Sequence, residues 1–181
     1  YIAKKRENAI FFIGRLTEKS DLKLLLKSLV DSQLENVKLF VVGSGTEHLK
    51  LKNYAVLLGI SDRVFWYGEI TNEIDISKIA NRCKLFVYPG AVGLSLLHAM
   101  SYGLPCIIHS DRREHMPEFA AFVDGVTGIG YKRGCSSSLT VKICEALGDV
   151  GALEKWSRNC INTTEKTFNT EDMANRFSEL V

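Results

Sequence analysis

Short apolar runs alternate with amphipathic stretches along this chain, and the alternation predicts six strands, at residues 9–13, 38–42, 64–67, 85–88, 106–108 and 128–131. Apolar positions at helical spacing predict helices over 22–30, 47–58, 76–81 and 94–102 between them, and over 138–147, 151–160 and 171–180 after the last strand. Start and stop signals agree. Ser20-Asp21 can cap the first helix and Thr170 the last, while Gly59 and Gly103 stand where two helices must end. Strand and helix in alternation imply an α/β fold with a doubly wound, Rossmann-like parallel sheet, which binds ligands at the carboxyl ends of its strands. No internal repeat, low-complexity tract or second domain interrupts the pattern.

Glycine-rich turns gather at that edge. Gly14-Arg15, Gly43-Ser44-Gly45, Gly68-Glu69 and Pro89-Gly90-Ala91-Val92-Gly93 each follow a predicted strand. The last of these opens directly into a helix, so the amides of Gly93, Leu94 and Ser95 lack intrahelical acceptors. Aligned peptide dipoles add partial positive charge at the same point, and such an end suits a diphosphate without a metal. An ordinary strand-to-helix turn is the alternative. Arg15 is the strongest side-chain candidate, because a guanidinium just past a strand end can grip two phosphate oxygens and stays charged; its alternative is a surface ion pair. The first turn lacks Gly-x-Gly-x-x-Gly, which argues against an NAD-dependent enzyme.

Taken together, Phe11-Phe12-Ile13-Gly14-Arg15-Leu16, Leu39-Phe40-Val41-Val42-Gly43-Ser44-Gly45, residues 62–70, residues 85–108 and Asp124-Gly125-Val126-Thr127-Gly128 resemble, in order, the donor-binding half of a GT-B glycosyltransferase of the large retaining family 4. The resemblance covers about residues 9 to 150. It implies the C-terminal, nucleotide-sugar-binding domain of a retaining, metal-independent enzyme with no cofactor, which moves a hexose from a UDP- or GDP-sugar to a sugar or lipid-linked acceptor. Arg15 and Lys19 would stabilise the leaving diphosphate with the amides of Gly93, Leu94 and Ser95. Gly14, Glu69, Gly90, His98 and Glu118 would complete the donor site, with backbone groups near Glu69 and Ile70 reading the base. The acceptor and some catalytic groups would come from an N-terminal domain absent from this chain, so that residues 1–181 bind donor without turning it over.

Two departures from that family stand out. Its paired glutamates, seven residues apart, correspond here to Gly90 and His98, in a pattern that resembles a bacterial branch with Pro-Gly-x-x-Gly-Leu followed by His. A backbone amide at Gly90 and an imidazole at His98 are expected to make the donor contacts; a non-catalytic sugar-nucleotide-binding or assembly module is the rival reading. The phosphate lysine is displaced too: its ungapped position is Ser20, with Lys19 one residue earlier. His98 packed among Leu94, Leu97 and Tyr102, and Glu118 stabilising a helix start after Pro117, are the structural alternatives for those residues.

Composition narrows the picture. The chain has 181 residues, enough for one well-buried domain and too few for a two-domain transferase, and its basic lead-in at residues 2–8 suggests that the missing part precedes it. A net charge of +2, from 23 basic and 21 acidic residues, is too small for a broad nucleic-acid footprint. Lys4-Lys5-Arg6, Arg112-Arg113 and Lys132-Arg133 are local basic clusters, solvated faces that could also meet an anionic membrane surface peripherally. Five cysteines without Cys-x-x-Cys spacing suit a reduced, cytoplasmic setting. The four histidines show no metal spacing, no apolar run of membrane-spanning length is present, and a signal peptide is not expected. Trp66 and Tyr67 are expected in the core, and His109 in a loop that could border the crevice.

Overall fold

The computed structural model describes residues 5–168. Six strands form one parallel sheet: β1 (Ala9–Ile13), β2 (Lys38–Val42), β3 (Val64–Gly68), β4 (Leu85–Tyr88), β5 (Cys106–His109) and β6 (Gly128–Tyr131), in spatial order β3-β2-β1-β4-β5-β6. The helices are α1 (Leu22–Ser28), α2 (His48–Leu57), α3 (Glu73–Ala80), α4 (Leu94–Ser101), α5 (Ser136–Gly148) and α6 (Val150–Thr167). Strands covered on both faces lose the in-out alternation of a half-exposed sheet and read as continuous apolar runs. Hence β1, β4 and β5 are buried at every position.

The order of strands fixes the site. From β1 the chain winds outward through β2 and β3, then crosses back to place β4 on the other flank of β1, where Ile10 pairs with Leu85 and Phe11 with Phe86. The loops leaving β1 and β4 therefore diverge, and a crevice opens between them at the carboxyl ends of the strands. Phe12 and Tyr88 stack beneath it with ring centroids 4.9 Å apart.

Several expected details change. Asp21 does not cap α1 through its side chain; it sits in the left-handed region at φ 46°, while the Ser20 hydroxyl turns back to donate to the Thr17 carbonyl at 2.7 Å. Helix α3 starts at Glu73, three residues before the expected position, because the Asn72 side chain accepts from the amides of Ile74 and Asp75. Helix α6 runs on to Thr167. Trp66 and Tyr67 are only half-buried against the core. Gly59 and Gly103 end their helices in the left-handed conformation, as expected. The helix expected at 171–180, with its Thr170 cap, lies outside the described residues, as does Lys4. All five cysteines are free thiols. Among the described residues no helix is long and apolar enough to cross a membrane.

Candidate functional site

The floor of the crevice continues the sheet's hydrogen bonding past the strand ends. The Gly14 amide donates to the Val42 carbonyl (3.0 Å), Leu16 to Ser44 (2.9 Å), Gly43 to Gly68 (2.7 Å) and Glu47 to Leu16 (3.0 Å). The loops after β1 and β2 are thereby laid against each other. A Cβ on Gly43 would fall 2.0 Å from the Gly14 carbonyl oxygen, so this approach needs a residue without a side chain. Above this floor lies an open cavity of about 460 Å³, bounded by Gly14, Arg15, Gly43, Ser44, Gly45, Glu69 and Ile70. Arg15 is exposed, and its side chain has no ion pair or hydrogen bond among the described residues.

A second cavity, of about 330 Å³, lies on the β4 side of the switch point. Glu18, Lys19, Asp21, Gly90, His109, Glu114 and Arg133 line it. Lys19 is exposed and its ammonium has no ion-pair partner among the described residues. The residue expected to offer a backbone amide here does not: Gly90 N–H already donates to the Ser20 carbonyl at 3.1 Å, and Ala91 N–H to the Lys19 carbonyl at 3.1 Å. The turn at 17–21 is pinned against the β4 loop in this way. Burial raises the Asp21 carboxyl above its ordinary range.

Helix α4 begins between the two cavities. Its first intrahelical bond runs from Leu96 N–H to the Gly93 carbonyl at 2.9 Å, leaving the amides of Gly93, Leu94 and Ser95 without an acceptor among the described residues. Ser95 faces β1, since a Cβ on Gly14 would lie 3.3 Å from its hydroxyl. The Leu94 side chain is exposed, so only its backbone can serve the site. Glu118 stands in a single 3-10 turn with Pro117 ahead of it; one carboxylate oxygen is buried without a partner and would lie 3.8 Å from a Cβ on Gly93.

The loop before α4 is held by a residue that the sequence pattern did not single out for the site. His115 Nδ1 accepts from Val92 N–H at 3.1 Å, which places the ring proton on Nε2, and Nε2 donates to the His109 carbonyl at 2.9 Å. The His115 ring is sandwiched between His109, at 3.8 Å, and Phe119, at 4.5 Å. Burial lowers the affinity of both imidazoles for a proton, that of His109 to a pKa of about 4. No motif announces His115, because its partners are contributed by the β4 loop and the end of β5.

His98 lines neither cavity. Its Nε2 lies 2.9 Å from Oε1 and 3.1 Å from Oε2 of Glu73, and 2.9 Å from the Tyr102 hydroxyl, which donates in turn to Glu73. The structure thus brings Gly14, Arg15 and Glu69 together around one cavity and Lys19 and Gly90 around the other. Gly93, Leu94, Ser95 and Glu118 gather at the start of α4, and His98 stands apart on a hydrogen-bonded bridge to α3. Among the described residues no three His, Cys, Asp or Glu side chains converge on a metal position.

The family model described as glycosyl transferases group 1 matches residues 2–163. Lipopolysaccharide 1,6-galactosyltransferase of Salmonella typhimurium is 35% identical over 107 residues, 55% of this chain and 29% of the relative. The Escherichia coli protein of the same name is 35% identical over 111 residues, 56% of this chain and 30% of the relative. The matched stretch is under a third of either protein. Among solved structures, the pneumococcal O-GlcNAc transferase GtfA in complex with UDP and GlcNAc superposes with a TM-score of 0.83 at 18% identity, over 99% of this chain and 36% of its own. Anabaena HepE in complex with UDP superposes at 0.82 with 19% identity, over 97% and 48%. These likenesses show the fold, a Rossmann-like parallel sheet shared with GT-B glycosyltransferases.

Proposed function

Because the chain belongs to the glycosyl transferases group 1 family, we propose that it is the donor-binding domain of a retaining, metal-independent hexosyltransferase that uses a nucleoside-diphosphate sugar, UDP- or GDP-linked. The observation that carries this reading is the placing of two cations that have no partner among the described residues, Arg15 at the first cavity and Lys19 at the second, along the same edge of the sheet as the unpaired amides that open α4. Negative charge grows on the diphosphate as the glycosidic bond breaks, and donors already in place stabilise it. The galactosyltransferase names of the relatives and the UDP in the superposed structures support the same donor class. The first cavity takes the nucleotide, its base beside Glu69 and Ile70, and the second takes the sugar.

In this reading an N-terminal domain brings a sugar or lipid-linked acceptor, the whole protein works at the cytoplasmic side, peripheral to a membrane, and the present chain binds without turnover. Calorimetric titration of the chain with UDP, GDP, UMP and GMP tests it: the diphosphates bind more tightly, and equal affinity for each mono- and diphosphate pair sinks the assignment. A second reading, a binding module without transfer, draws on Gly90, which offers no carboxylate to the sugar. Donor hydrolysis or sugar transfer by the full-length protein decides against that module.

A further inference from the structure

Glu73, His98 and Tyr102 form a compact cluster that the reading above leaves without a task. Its place in the fold is informative. The Ser95 hydroxyl would lie 3.3 Å from a Cβ on Gly14, a residue of the first cavity's wall, and His98 follows Ser95 by one helical turn on the same face of α4. Ile70 lines that cavity, and Glu73, three residues on, opens α3. The cluster therefore ties the cavity wall to the helix whose N-terminus faces the diphosphate.

Its chemistry is that of a prepared acceptor. Two donors fix one carboxylate: Tyr102 O–H bonds Oε1, and His98 Nε2 reaches both oxygens. These bonds hold the Glu73 carboxyl below its ordinary proton affinity, the Tyr102 bond foremost, so that it stands ionised. Yet the Glu73 side chain remains 64% exposed. A carboxylate has about four lone-pair positions, and this one keeps some of them open to an incoming pair of hydroxyls.

Resting on the assignment of a nucleoside diphosphate to this crevice, we infer that Glu73 accepts hydrogen bonds from the ribose diol, with His98 and Tyr102 as the residues that position its carboxylate. The acceptor for the ribose is thus carried by α3, and His98 acts through Glu73 instead of touching the nucleotide. A cluster that only clips two helices together would have no preference among nucleotides.

Calorimetry with UDP and 2′,3′-dideoxy-UDP on this chain and its variants separates the two. The unmodified chain is expected to prefer UDP by roughly tenfold or more, the scale of hydrogen bonds to a charged group. In Glu73→Ala that preference collapses while affinity for the dideoxy nucleotide stays unchanged. Tyr102→Phe, which keeps the ring and removes the donor, lowers the preference part of the way, and His98→Gln, which can still donate to the carboxylate, retains more of it than His98→Ala. Melting curves confirm that each variant is folded. A preference for UDP that survives intact in folded Glu73→Ala overturns the inference, as does its absence from the unmodified chain, and neither result touches the diphosphate assignment. Failure of the unmodified chain to bind either nucleotide overturns both.

Discussion

A Cβ on Gly90 would stand 1.9 Å from the carbonyl oxygen of Lys19. The position that holds a glutamate in the resembling family is here filled by backbone from another loop, and the two loops are joined by the bonds from Gly90 to Ser20 and from Ala91 to Lys19.

Any side chain at Gly90 must displace the turn that carries Lys19. Gly90→Ala is expected to destabilise the chain by about 1–3 kcal/mol, the range for overpacking, and to weaken UDP binding through Lys19. Gly90→Glu should do worse on both counts. Thermal melting with UDP titration checks this; a Gly90→Glu variant with unchanged melting and tighter UDP-sugar binding would show the loop free to move.

Arg15→Ala should weaken UDP binding by about 1.5–3 kcal/mol and leave the melting temperature in place, since the guanidinium has no bond to lose among the described residues. Lys19→Ala should act in the same direction but less, because an ammonium cannot bond two oxygens through a rigid fork. UMP binding should change less than UDP binding in both. An Arg15→Ala variant that keeps its full affinity would return Arg15 to the solvated surface.

The paired imidazoles give a pH dependence whose sign follows from their environment. Burial first, then the neighbouring His115 and Arg133, lower the pKa of His109 to about 4, against the attraction of Asp111 and Glu114; burial lowers that of His115 as well. The unfolded chain takes up protons below about pH 6.5 that the folded chain refuses, so stability is full above that value and falls as pH drops toward 4. Protonating His115 also converts its Nδ1 from acceptor to donor against Val92 N–H. Melting temperatures at pH 7.5, 6 and 5 should therefore decline, and the decline should be shallower in His109→Gln. Parallel curves for the two proteins would refute the assignment.

Chelation tests the role of the cations from the other side. If Arg15, Lys19 and the α4 amides supply the positive charge, EDTA should leave the affinity for UDP within about twofold, well below the tenfold that 1.4 kcal/mol represents. A drop beyond tenfold would require a divalent ion that these side chains do not replace.

What the sequence discloses, and what it hides, follows from how local each cause is. The strands at 9–13 and 85–88 match their apolar runs because burial on both faces leaves an unbroken signature, and the strand at 38–42 does so past its exposed Lys38. Arg15 and Glu69 could be placed at one crevice because each follows a strand end, and parallel strands share one carboxyl edge. The engagement of the Gly90 amide was not legible because its partner, the Ser20 carbonyl, arrives from a loop seventy residues away in sequence. His115 and Glu73 escaped for the same reason. Their partners lie across the fold, and nothing in their immediate neighbours encodes the meeting.

The hydrogen bonds that prolong the sheet beneath Arg15 have a kinetic meaning. Gly14, Leu16, Gly43 and Glu47 are tied across the floor before any nucleotide arrives, so the backbone has little left to order on binding. The entropic penalty then falls chiefly on the two long cationic side chains, about 0.5–1.5 kcal/mol each. On the proposed assignment, association is docking onto a rigid seat, its speed set by attraction between the diphosphate and Arg15 and Lys19, and it should slow as salt is added.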